Sequence, residues 1–122
     1  MDKIMISGLR VFAHHGVLPS EQRTGQPFIL DIVMHADLSE ACATDNLALT
    51  INYSEVARIT TKVMCENTYN LIEAAAAAVC DSLLAEFPPI ETIEVTIKKP
   101  RAPVSSDIEY AAVCITRHRA RN

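Results

Sequence analysis

The chain lacks every arrangement that would mark a metal centre or a disulfide frame. Cys42, Cys65, Cys80 and Cys114 lie far apart, with no CxxC and no Cys/His pairing, and so they read as buried thiols of a reducing compartment. The four histidines show no HxH or HxxxH spacing, so no metal is expected. With only three glycines there is no Gly-rich phosphate loop, and no Ser/His/Asp or Cys/His order looks nucleophilic. No charged-then-apolar segment opens the chain, and the longest apolar run, Ala74 to Cys80, is too short to span a bilayer. A cytoplasmic protein is the expectation. Lys and Arg are scattered, apart from the end Arg117-His118-Arg119-Ala120-Arg121. With a net charge of -4 and no basic stripe interleaved with aromatics, that end is expected to be a solvated tail, and nucleic acid is not expected as a partner.

What is present is a foldable core. A length of 122 residues and an apolar content of 49% suit a single domain, 1–122, that buries most of its apolar surface. Residues 3–14 read as a strand with a bulge at Gly8, and residues 15–26 as a loop punctuated by Gly16, Pro19 and Gly25. Residues 27–38 form a second strand, joined to the first in a long hairpin. Phe28, Leu30, Ile32 and Met34 line one of its faces. Ile29 and Val33 sit between Asp31 and His35 on the other. A sheet with helices on one side only should alternate more cleanly, so the second face is expected to meet another subunit.

An irregular connection, residues 39–50, leads to Asn52-Tyr53-Ser54-Glu55, a helix start followed by Val56, Ile59, Thr60, Val63 and Met64 at helical spacing. A second helix is expected from Asn70, with Ile72, Ala75, Ala76, Val79, Cys80, Leu83 and Leu84 on its buried stripe, ending near Phe87 before Pro88-Pro89. Ile93, Val95 and Ile97 alternate with polar residues in a third strand, closed by Pro100 and Pro103. Residues 107–117 give a fourth, apolar on both faces. The order strand, strand, helix, helix, strand, strand predicts an α+β layer, a four-stranded antiparallel sheet with two helices on one face.

The second helix start carries two readings of one residue. Asn70, three residues before Glu73, is the pattern of a capping box, in which Glu73 reaches back to the cap. A carboxylate beside the free N–H groups of a first turn can also grip a flat ligand that presents two parallel N–H donors. Other polar residues are ambiguous singly. Glu21 in its loop is an ordinary solvated carboxylate, Tyr53 a partly buried core tyrosine and Lys99 an exposed strand-end lysine. His15 is as readily a hydrogen-bonded structural residue as a catalytic one. Together they are placed at strand ends and helix starts, where one edge of the layer would gather a lysine, a tyrosine, a histidine and two carboxylates.

Four segments in order resemble the signature of the dihydroneopterin aldolase family. They are His15-Gly16-Val17 with Glu21 and Gly25-Gln26, then Thr50-Ile51-Asn52-Tyr53, Asn70-Leu71-Ile72-Glu73, and Lys99-Pro100-Arg101-Ala102-Pro103. The likeness runs from about Lys3 to Arg117. It implies the tunnelling fold, in which four subunits join their sheets into a barrel ringed by helices and two rings stack into an octamer. It also implies active sites between adjacent subunits, Thr50, Ile51 and Tyr53 coming from one and Glu21, Ile72, Glu73 and Lys99 from its neighbour.

The chemistry implied is cofactor-free retro-aldol cleavage of 7,8-dihydroneopterin to glycolaldehyde and 6-hydroxymethyl-7,8-dihydropterin in folate synthesis, with epimerisation to dihydromonapterin on the side. Glu73, with backbone groups of Ile51 and Ile72, would grip the pterin edge. Lys99, Glu21 and Tyr53 would handle protons. Two departures stand out: His14 occupies a position where the family often has Tyr, and Lys98 precedes Lys99. Only one of two successive strand residues can face the site, and adjacency to Pro100 favours Lys99. The rivals are a dihydroneopterin triphosphate epimerase on the same fold and a non-catalytic pterin-binding subunit. A zinc-dependent pyruvoyl-tetrahydropterin synthase relative would need a histidine triad that the chain lacks.

Overall fold

Alternation of apolar residues builds the sheet, and the helices close over one of its faces. The computed structural model describes residues 1–120, so Arg121 of the basic end lies outside the described residues. Four strands, β1 (Asp2–Ala13), β2 (Gln26–Ala36), β3 (Thr92–Lys99) and β4 (Ala111–His118), pair antiparallel in the order β1-β2-β3-β4, leaving β1 and β4 as edges. Phe28, Leu30, Ile32, Met34, Ile93, Val95 and Ile97 are fully buried on the inner face.

The bulge expected at Gly8 is present and has a purpose. Ile6 pairs with Ile32 and Leu9 with Leu30, so Ser7 and Gly8 together oppose Asp31. Gly8 takes φ +73, and its N–H donates to Asp31 Oδ1 at 2.8 Å. The extra residue resets the phase, so that Ile4, Ile6, Leu9, Val11 and Ala13 all turn inward.

Helix α3 (Tyr53–Glu66) starts where expected, Asn52 Oδ1 accepting from the Ser54 N–H at 3.0 Å, and it buries Val56, Thr60 and Met64. Helix α4 (Ile72–Glu86) buries Ala75, Ala76, Val79, Cys80 and Leu83, with Ile72 and Leu84 partly buried beside them. Two connections hold structure that the breakers concealed. The loop after β1 contains a short helix α1 (Pro19–Thr24), started by Pro19 at its first position. The connection after β2 contains helix α2 (Ser39–Thr44) and a 3₁₀ turn, Leu47–Leu49. The fourth strand begins later than residue 107. None of the described helices is long and apolar enough to cross a membrane.

No helix or strand among the described residues covers the outer face of the sheet. That face carries cross-strand pairs, Lys98–Asp31 at 3.0 Å and His35–Glu94 at 2.9 Å, between half-buried Ile29 and Val33.

The basic end is not a solvated tail at Arg119. Its guanidinium donates to the carbonyls of Ile90 at 2.8 Å, Leu84 at 2.7 Å and Phe87 at 3.0 Å, and its N–H to Glu91 O at 2.8 Å. Leu84 and Phe87 belong to the last turn and cap of α4, whose carbonyls lack helical partners, while Ile90 and Glu91 lie in the segment that leads into β3. Arg119→Ala is expected to cost about 2 kcal/mol, or roughly 8 °C in melting temperature. A thermal melt within about 2 °C of the parent would contradict this clamp.

Candidate active site

The site begins where β1 runs out at Ala13. The His15 ring is fully buried, tilted against Phe28 and Tyr69 with centroids 5.5 Å from each. Tyr69 N–H donates to His15 Nδ1 at 3.0 Å, so a neutral ring carries its proton on Nε2. Burial pushes the imidazole below its ordinary value, aided by the like charges of His14 and Lys99 and opposed by the Met64 carbonyl. Gly16 N–H donates to Tyr69 O at 3.0 Å. His15 is therefore a structural tie that joins the end of β1 to the segment before α4. Of the two roles open to it, the hydrogen-bonded one is observed.

Helix α1 then places Glu21. Its Oε1 accepts from the Leu18 N–H at 3.3 Å, reaching back to the cap as the acid of a capping box does. Its Oε2 accepts from Lys99 Nζ at 2.6 Å and from Gln26 Nε2 at 2.9 Å. The side chains of Lys99 and Glu21 are only 12% and 8% exposed. This corrects both single-residue readings: Glu21 is not a solvated loop carboxylate, and Lys99 is not an exposed strand end. Gly16 makes the burial possible, since a Cβ there would sit 2.5 Å from the Glu21 carboxyl carbon.

Register separates the two lysines. Lys98 turns to the outer face, on Asp31 and 5.2 Å from the Tyr110 ring centroid, while Lys99 turns to Glu21.

Burial alone would raise the Glu21 carboxyl, but the Lys99 ammonium, the Gln26 amide and the Leu18 N–H overcome it and hold the group below its ordinary value. A lowered folded value means the pair's contribution is complete above the ordinary carboxylate range and is lost as pH falls through the lowered value. Melting temperature measured from about pH 6 down to about pH 3 should fall less steeply in Glu21→Gln than in the parent. Parallel profiles would show that Glu21 titrates as a free carboxylate.

The start of α4 differs from the expected capping box. The cap is Leu71, whose carbonyl accepts from Ala74 and Ala75, and Asn70 lies outside the helix, accepting from Gln22 Nε2 at 2.9 Å. Glu73 becomes the second helical residue. Its side chain is exposed and forms no hydrogen bond or ion pair among the described residues. The capping reading fails, and an unpaired carboxylate is left beside the free N–H groups of Ile72 and Glu73.

Thr50, Ile51 and Tyr53 lie together, apart from Glu21, Glu73 and Lys99. Ile51 is buried, Thr50 half-buried, and Tyr53 is 65% exposed instead of packed in the core. They line a pocket of about 470 Å³ with Ile4, Met5, Leu38 and Leu47. That pocket adjoins the first residues of β1, whereas Glu21 contacts Gln26, the partner of Ala13 at the far end of the strand. Eight strand residues span roughly 25 Å, so one chain does not bring Tyr53 to Lys99.

Sequence reasoning assigned no role to Gln22 or Gln26. Gln26 had a signal: it shares parity with Phe28 and Leu30, so it is a polar residue on a buried face.

The dihydroneopterin aldolase family model, FolB, matches residues 4–116. A dihydroneopterin aldolase of Methylorubrum extorquens is 43% identical over 119 residues, covering 98% of this chain and 92% of its own. One of Streptococcus pyogenes is 39% identical over 121 residues, covering 99% and 100%. The solved structure of the E. coli dihydroneopterin aldolase in complex with neopterin superposes with a TM-score of 0.87 at 28% identity, covering 96% of this chain and 99% of that one. With the four signature segments lying in one continuous match of this extent, the chain belongs to the dihydroneopterin aldolase family of aldehyde-lyases.

Proposed function

We propose that this protein cleaves 7,8-dihydroneopterin by a retro-aldol step, in a site completed by two copies of the chain. The observation that carries the reading is the buried Lys99–Glu21 pair on the same side of the layer as the unpaired Glu73 at the start of α4. Glu73 accepts from the 2-amino and N3–H edge of the pterin, a two-pronged match for one carboxylate. The backbone groups of Ile72, and of Ile51 with Thr50 from the adjacent copy, complete the grip.

In the reactive form Lys99 is the neutral amine, which takes the 2′-hydroxyl proton through a water that Glu21 orients and later returns it by the same route to restore Tyr53. The C1′–C2′ bond breaks, glycolaldehyde departs, and the bonding electrons pass into the C=N of the dihydropterin. That acceptor makes neither a metal nor a Schiff base necessary. Tyr53 of the adjacent copy delivers the proton to C1′, leaving 6-hydroxymethyl-7,8-dihydropterin. Re-addition of the aldehyde through its other face before that proton arrives inverts C2′ and gives dihydromonapterin.

Separation of the half-sites supports assembly. Tyr53 and Lys99 lie at opposite ends of the sheet, and β1 and β4 offer unpaired edges that neighbouring copies can join. Four chains closing edge to edge, and two such rings stacked, give the octamer the family resemblance implies. The outer face, with its half-buried Ile29 and Val33, would line the barrel. All four cysteines are free, although only Cys80 is buried and Cys42, Cys65 and Cys114 are exposed, against the expectation of four buried thiols; free thiols fit a cytoplasmic setting.

Purified protein incubated with 7,8-dihydroneopterin and EDTA tests the reading. Glycolaldehyde and hydroxymethyl-dihydropterin are the expected products. Dihydromonapterin alone would move the assignment to an epimerase, and tight pterin binding without product to a binding subunit.

A further inference from the structure

Helix α1 has six residues and buries no apolar side chain, Glu21 being its only buried residue. A helix this short does not hold itself, and here no core contact holds it either. Its anchorage is polar and converges on Gln22. Both hydrogens of the Gln22 amide are used, Nε2 donating to Gly16 O at 2.8 Å and to Asn70 Oδ1 at 2.9 Å. The Gln22 carbonyl, one that the end of α1 leaves without a helical donor, accepts from His14 Nδ1 at 2.9 Å. The amide orientation follows from its surroundings, because a backbone carbonyl can only accept.

Each anchor point bears on the site. Gly16 is the residue against which the Glu21 carboxylate rests. Asn70 stands just before the Leu71 cap and the ligand-facing Glu73. His14 directly follows β1, at a position where the family pattern often has Tyr, and the tie to Gln22 gives it a task. We propose that Gln22 is a positioning residue, tying α1 to the segment that opens α4 and so holding Glu21 on Lys99 at a set distance from Glu73. The inference rests on Glu21 and Lys99 being the proton-handling pair of the proposed reaction.

The test compares the parent with Gln22→Met, which keeps length and loses both donors, with Asn70→Ala, and with the double variant. Turnover of 7,8-dihydroneopterin, thermal unfolding and the titration of the Glu21 carboxyl by ¹³C NMR are read in each. In Gln22→Met, kcat should fall about 10-fold with KM changed less than about threefold. The Glu21 titration should move up towards an ordinary carboxylate, and the melting temperature should stay within about 3 °C. The double variant should be no worse than Gln22→Met, because the two substitutions break one shared bond.

Unchanged kcat and an unmoved Glu21 titration in a folded Gln22→Met would overturn the proposal, as would strictly additive losses in the double variant. Should Gln22→Met fail to fold, Asn70→Ala alone decides by the same two readouts. If the parent shows no aldolase turnover, the proposed reaction fails, while the Glu21 titration still shows whether Gln22 holds that carboxylate.

Discussion

Lys99→Ala is expected to lower turnover of 7,8-dihydroneopterin about a thousandfold while pterin affinity changes by less than about fivefold. The split follows from placement. Lys99 is buried on Glu21 at 2.6 Å, and it is Glu73, at the start of α4, whose carboxylate is free to hold the pterin edge. In the proposed mechanism, removing the Lys99 side chain deletes the amine that takes the 2′-hydroxyl proton and leaves the proposed grip of Glu73 in place. It also strands Glu21 as a buried carboxylate without its cation, so its titration should move up, by the same physics that now holds it down. Single-turnover kinetics and equilibrium pterin binding read the two effects separately. A variant that kept kcat but bound pterin weakly would move Lys99 from the chemistry to the grip. Lys98→Ala is the control, because Lys98 faces Asp31 on the outer side of the sheet.

Gly16→Ala is expected to reduce kcat about a hundredfold and to cost roughly 2 kcal/mol of stability. Two causes act together. The backbone at Gly16 takes φ +147, which side chains rarely adopt, and a Cβ would lie 2.5 Å from the Glu21 carboxyl carbon and 2.7 Å from Oε2. The carboxylate cannot share that space, so α1 must shift and the bond to Lys99 must lengthen. Gly8→Ala separates strain from displacement. Gly8 also has positive φ, at +73, but nothing lies within 4 Å of a Cβ built there. It should lose about 1 kcal/mol and keep its turnover. Equal activity in both variants would show that Glu21 does not need the space Gly16 leaves.

Much of the layer could be read from the chain because its causes are local. Phe28 to Met34 alternate, Val56 to Met64 recur at helical spacing, Asn52 caps its own helix, and Pro88-Pro89 stop the next. The same local reasoning misplaced Asn70. Its spacing to Glu73 fits a capping box, but Gln22, distant by 48 positions, engages its side chain, and Leu71 is the cap instead. A cap is worth about 1 kcal/mol, so a single long-range hydrogen bond is enough to redirect it.

The sequence by itself determined which residues could carry the chemistry, because side-chain type is local and the four signature segments keep their order and spacing. It also determined the period of every long element. Tertiary structure alone decided which of those groups are buried and with whom. The register of β3 turned Lys99 to Glu21 and Lys98 to Asp31, and the missing side chain at Gly16 let a loop carboxylate become a buried one. The fold of β4 back past α4 brought Arg119 onto the Leu84 and Phe87 carbonyls at the end of that helix. The physical reason is one of range. Propensity and periodicity act over a few residues, whereas the ionisation and pairing of a polar side chain depend on whatever the folded chain brings within about 4 Å of it.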